Sequence, residues 1–71
     1  MVWEKRYFGA NEGWINLQTK DLIYTMHRNA WEVILNGKTI YRDIETEKEA
    51  IARMEQRMDE IGEKYENNSS M

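Results

Sequence analysis

The clearest sheet signal in the pattern of apolar and polar positions runs from Trp31 to Arg42, two β-rich runs separated by Asn36-Gly37. Asn-Gly between two β-rich runs predicts a two-residue hairpin turn, because a type I′ turn needs positive φ at both central residues. With that turn Leu35 faces Lys38, Val33 faces Ile40 and Trp31 faces Arg42. Trp31, Val33, Leu35 and Ile40 then share a face that belongs in the core. Glu32, Ile34, Thr39, Tyr41 and Asp43 share the other, which is expected to be wetter. A slip of one residue would exchange the two faces, so the pattern itself supports the register.

After the hairpin the period changes from 2 to 3.6. Thr46-Glu47-Lys48-Glu49 matches a capping box, in which the Thr hydroxyl and the Glu carboxylate satisfy otherwise unpaired N–H groups. Ile51, Met54, Met58, Ile61 and Tyr65 then recur at steps of three and four, one apolar stripe. A helix over 47–66 is roughly 30 Å long at ~1.5 Å per residue, whereas a six-residue strand spans only ~20 Å. Its last turns, with Met58, Ile61 and Tyr65, overhang one subunit's sheet, and a homodimer is the expected remedy. Gly62 weakens the helix, and residues 67–71 are expected to form a disordered tail.

The earlier part of the chain carries weaker signals. Val2–Phe8 is rich in β-formers, Gly9–Gly13 reads as a loop with two breakers, and Trp14–Gln18 alternates as a strand does. Leu22–Met26 suits a strand, but Leu22, Ile23, Met26 and Ala30 also fit one helical face with Thr19 as its cap. The strand is favoured. The expected fold is α+β: an antiparallel β-meander of three to five strands, then one long amphipathic C-terminal helix packed on the sheet, all within a single domain over 1–66.

Composition narrows the function. With 71 residues, 41% of them apolar, the chain suits one small folded domain. It has no cysteine, so a disulfide framework, a thiolate metal site and a cysteine nucleophile are all excluded. A core of this size yields only ~3–5 kcal/mol without staples, which leaves oligomerisation or a very regular helix-on-sheet core. The opening residues lack the apolar stretch of a secretory signal and no apolar run reaches a membrane span, so a cytoplasmic location without membrane contact is expected.

Catalytic chemistry is thinly represented. His27, the only imidazole, lies in the polar stretch His27-Arg28-Asn29 and reads as an exposed turn residue. A catalytic histidine needs a nucleophile or acid partner, and with no cysteine the only serines, Ser69 and Ser70, sit in the expected disordered tail. His27 and Asp21 have no supporting ligand cluster, and Gly9-x-x-x-Gly13 is not followed by the Gly-Lys-Ser/Thr of a phosphate loop. The expectation is a protein that is not an enzyme and holds no cofactor or metal.

Charge is more informative than its net value of −3. Residues 1–42 carry six basic and four acidic groups, and residues 43–71 carry nine acidic and four basic. At ~100° per residue, Glu49, Glu55, Asp59, Glu60, Glu63 and Glu66 fall in one sector of the helix beside the apolar stripe, with Lys48 as the only base there. Arg53, Arg57 and Lys64 gather in a narrow sector beyond. Glu55/Asp59 and Asp59/Glu63 are like-charge pairs one turn apart, which cost a helix a few tenths of a kcal/mol each. Two readings of this ridge stand: a solvated face that aids solubility, or a surface that docks on a basic, nucleic-acid-binding protein and imitates its row of phosphates.

A competing site lies in the sheet region, where Lys5, Arg6, Lys20, Arg28, Lys38 and Arg42 interleave with aromatic residues in a way that suits DNA or RNA. The order strand, Asn36-Gly37, strand, Thr46-Glu47-Lys48-Glu49-Ala50, helix, from Trp31 to about Met58, resembles the end of the arm-type DNA-binding domain of tyrosine integrases. That resemblance implies a three-stranded sheet laid on DNA with one helix behind it. The hairpin strands here carry only Lys38 and Arg42 as bases, against Glu32 and Asp43, and a net negative chain opposes phosphate binding. By size and composition the chain also looks like the accessory and inhibitor proteins of phages and mobile elements. The favoured expectation is a non-catalytic protein-binding module, with direct nucleic-acid binding and a structural subunit of a larger assembly as alternatives.

Overall fold

Asn36 and Gly37 sit at φ 52° and 85°, and Leu35 pairs with Lys38 across them. The two-residue turn forms as the sequence predicts. A computed structural model of the chain describes residues 2–69, with side chains over 2–62. Five strands, β1 (Trp3–Phe8), β2 (Asn11–Asn16), β3 (Leu22–Arg28), β4 (Ala30–Leu35) and β5 (Lys38–Ile44), are followed by one helix, α1 (Glu47–Ser69). The strands form a single antiparallel sheet in the order β1-β2-β3-β4-β5, and α1 packs on one face, over β3, β4 and β5. This is the expected α+β meander with its C-terminal helix. The stretch 22–26, open between helix and strand, is strand. Its Ile23 and Thr25 are buried on the face that meets α1.

The core is built from Ile23, Val33 and Ile44 on the sheet and Ala50, Met54 and Met58 on the helix. Trp3, Trp14, Trp31 and Ile51 pack around this cluster. Thr46 caps the helix, its hydroxyl accepting from the Glu49 N–H at 3.2 Å. The helix rises roughly 34 Å against strands of ~20–23 Å, so it outruns the sheet. Helical backbone continues to Ser69, beyond the expected end at Glu66. Ser70 and Met71, the end of the expected tail, lie outside the described residues.

Beyond the turn, the hairpin departs from the expected register. Ile34 opposes Thr39 but Val33 opposes Tyr41, and Trp31 opposes Ile44. Strand β5 therefore carries two extra residues, the first of them Ile40, and Asp43 takes a left-handed φ of 59°. Bulges of this kind bend and twist a strand. Here they let both Ile40 and Tyr41 pack against the core, where strict alternation would have sent Tyr41 to the opposite face. The pairings Val33–Ile40 and Trp31–Arg42 are thus replaced by Val33–Tyr41 and Trp31–Ile44.

Two further expectations are corrected in the first hairpin. Gly9–Gly13 is not one loop: Gly9 (φ 66°) and Ala10 alone make the turn, and β2 starts at Asn11 with Gly13 inside it. A Cβ on Gly13 would lie 2.6 Å from Tyr24 Cβ and 2.7 Å from the Phe8 ring, so this glycine leaves room rather than breaking the strand. Strand β2 also stops at Asn16 rather than Gln18. The buried Asn16 carboxamide accepts from the Gln18 and Thr19 N–H groups at 2.9 Å and turns the chain.

A candidate protein-binding surface on the helix

The buried seam of α1 is Ala50, Met54 and Met58, with Ile51 and Ile61 half-buried beside it. Arg53 lies over the Tyr41 ring at 5.5 Å, which fixes the flank of the helix that faces β5. Ile51 and Glu55 lie about 200° round the helix from Arg53, on the flank away from β5. There Glu47, Lys48, Ile51, Ala52 and Glu55 line a shallow cleft that is largely open to solvent. Its floor is apolar and its rim charged.

Outward from this cleft the acidic residues follow. Glu49, Glu55, Asp59 and Glu60 are all exposed, as the ridge requires. Among the described residues Glu60 alone of the four has a salt bridge, to Arg57 at 3.0 Å. Asp43, Glu45 and Glu47 are exposed at the junction of β5 and α1 and extend the acidic surface past the helix start. Helical periodicity leaves them out of the ridge, Asp43 and Glu45 because they precede the helix. The side chains of Glu63, Tyr65 and Glu66 lie outside the described residues. Of the proposed dimer contacts, Met58 is 7% exposed and belongs to the chain's own core, and Ile61 is half-buried.

The six bases of the sheet region do not converge. Lys5 and Arg6 are adjacent on β1 and so point to opposite faces. Lys5 pairs with Glu12 at 2.5 Å, Arg6 with Glu4, and Arg28 with Glu32 at 2.9 Å. Lys20 folds back onto the Leu17 carbonyl at 2.9 Å, Lys38 sits at the far turn and Arg42 on the bulged edge strand. Lys5 is further placed over the Tyr7 and Trp14 rings at 5.6 and 5.5 Å. Its hydrogen bond to Glu12 raises the ammonium pKa above the ordinary value, against a smaller opposing effect of burial.

Candidates for catalysis remain apart. His27 is exposed, but it lies in strand β3 rather than in a turn, and its ring packs at 5.0 Å against that of Trp31, its cross-strand partner. Among the described residues, no group of three or more His, Cys, Asp or Glu side chains is placed to hold a metal ion, and no helix is long and apolar enough to cross a membrane. No family model matches the chain, and comparison with curated proteins and with solved structures gives no match either.

Proposed function

We propose that the protein is a non-catalytic binding module that uses the acidic face of α1 to occupy the basic, nucleic-acid-binding surface of a partner protein. The observation that carries this reading is the contrast between the two sets of charges. Bases of the sheet are scattered and three of them are paired with carboxylates, whereas Glu49, Glu55 and Asp59 project from one rigid helix without a salt bridge among the described residues. Unpaired carboxylates on a rigid element give a field that complements a positive patch, speeds encounter and sets orientation. The open surface beside them adds Ile51 and Ala52 as apolar contacts, which charge alone does not supply. Inhibition follows from competition, since a partner whose basic groove holds this helix has no room there for nucleic acid.

The experiment is capture from the source cell's lysate with the tagged protein and with a Glu49→Lys, Glu55→Lys, Asp59→Lys variant of equal helicity. The proposal expects basic, nucleic-acid-binding proteins with the wild type and their loss with the variant. Capture of the same proteins by both would reduce the ridge to a solvated face.

A further inference from the structure

The five-stranded sheet has a second face, and α1 does not cover it. Across it Arg6, Gly13, Tyr24, Ile34 and Thr39 form one continuous row in register, with Glu4, Ile15 and Leu22 on one side and Met26 paired to Glu32 on the other. Its apolar members are Phe8, Ile15, Leu22, Tyr24, Met26 and Ile34. We propose that this helix-free face is the surface through which two copies of the chain associate, sheet against sheet.

Charge, area and the state of the sheet edges all favour a second copy. The chain as a whole is net negative, so copies repel through their helices. On the helix-free face, by contrast, Glu4 pairs with Arg6 and Arg28 with Glu32, two acids and two bases that cancel locally. A locally neutral surface that mixes paired charges with half-buried apolar side chains suits an isologous contact, in which the same patch serves both partners. Five strands ~4.8 Å apart and ~20 Å long present on the order of 500 Å² in projection. A pair of copies then covers about 1,000 Å², the lower bound of a specific interface, before side-chain relief adds to it. The edges offer no rival route, since β1 carries Glu4, Lys5 and Arg6 in succession and β5 is twice bulged. Ile34, 4% exposed, is covered by its own neighbours, so the contact falls to the half-buried Phe8, Ile15, Leu22, Tyr24 and Met26 around it. The assembly has four layers, helix-sheet-sheet-helix, and leaves both acidic helices outward. It does not depend on what those helices bind.

Sedimentation of the full chain from micromolar to millimolar concentration tests the proposal, with Ile15→Lys and Met26→Lys as probes. Each places a lysine opposite an existing glutamate, Glu4 and Glu32 respectively, whose carboxylate it can share with Arg6 or Arg28. The expected result is a wild-type species of twice the 8.6 kDa chain mass, loss of that species in both variants at unchanged circular dichroism, and its retention in Ile61→Lys. Concentration-dependent amide shifts centred on Ile15, Leu22, Tyr24 and Met26 of the unmodified protein give the same answer if a variant fails to fold. A monomer at every concentration, a dimer that survives both lysines, or one lost only in Ile61→Lys would overturn it.

Discussion

The ring of Phe8 lies 4.6 Å from the ring of Tyr24, although β2 runs between their strands. The contact is open because β2 has Gly13 at that point, with Tyr24 Cβ and the Phe8 ring edge occupying the space of its absent side chain. An aromatic side chain laid over a strand glycine restores the packing the glycine gives up. Three strands are tied together by this one device.

Gly13→Ala therefore inserts a methyl group where 2.9 Å separates its position from the Ile23 carbonyl oxygen, a backbone atom that cannot swing away. Overpacking of this kind costs ~1–3 kcal/mol. Urea denaturation is expected to show a loss of about 2 kcal/mol, and Phe8→Leu combined with Gly13→Ala is expected to recover only part of it, because the clash with the backbone remains.

Asn36 does more than permit the turn. Its side-chain oxygen accepts from the Leu22 N–H at 2.9 Å and its amide donates to Asp21 Oδ1 at 2.8 Å, so the β4–β5 turn is fastened to the β2–β3 turn. Asn36→Gly keeps the left-handed backbone and loses both bonds, an expected cost of about 1 kcal/mol. Asn36→Ala loses the bonds and adds left-handed strain, for a further ~1 kcal/mol. Equal stability of the two variants in thermal denaturation would show that conformation contributes nothing there.

Lys5 links stability to alkaline pH. Its pKa is raised in the folded chain, chiefly by the hydrogen bond to Glu12, so the folded state holds the proton more tightly than the unfolded state. The stabilisation is complete below the unfolded value and disappears as pH rises through the folded one. The Tm difference between wild type and Lys5→Met is expected to be constant at neutral pH and to shrink above 10.5, the group's ordinary value. A difference that persists well above that pH would show that Lys5 acts through the packing of its stem on Trp14.

The elements with strong local chemistry were legible in the sequence. Asn36-Gly37 named its turn, Thr46 its helix cap, and the spacing of Met54 and Met58 the buried seam. What escaped was set by contacts between segments distant along the chain. Gly13 looks like a breaker until Phe8 and Tyr24 are seen to fill its space. Ile40 and Tyr41 break alternation because bulges in an edge strand answer to the core beneath them, and no local propensity records that. The exposure of Glu49, Glu55, Asp59 and Glu60 was legible because helical periodicity alone places them off the apolar stripe. The scatter of the bases was not, because it depends on the sheet's register and on carboxylate partners such as Glu12 and Glu4.

Competition between the acidic helix and nucleic acid for one surface of the partner is the central claim proposed. Fluorescence anisotropy of a labelled duplex bound to the captured partner measures this directly as the protein is titrated in. The proposal predicts that anisotropy falls to that of free duplex, that added salt weakens the effect, and that the Glu49→Lys, Glu55→Lys, Asp59→Lys variant leaves the complex intact. A rise in anisotropy as a ternary complex forms, or equal displacement by wild type and variant, would contradict it.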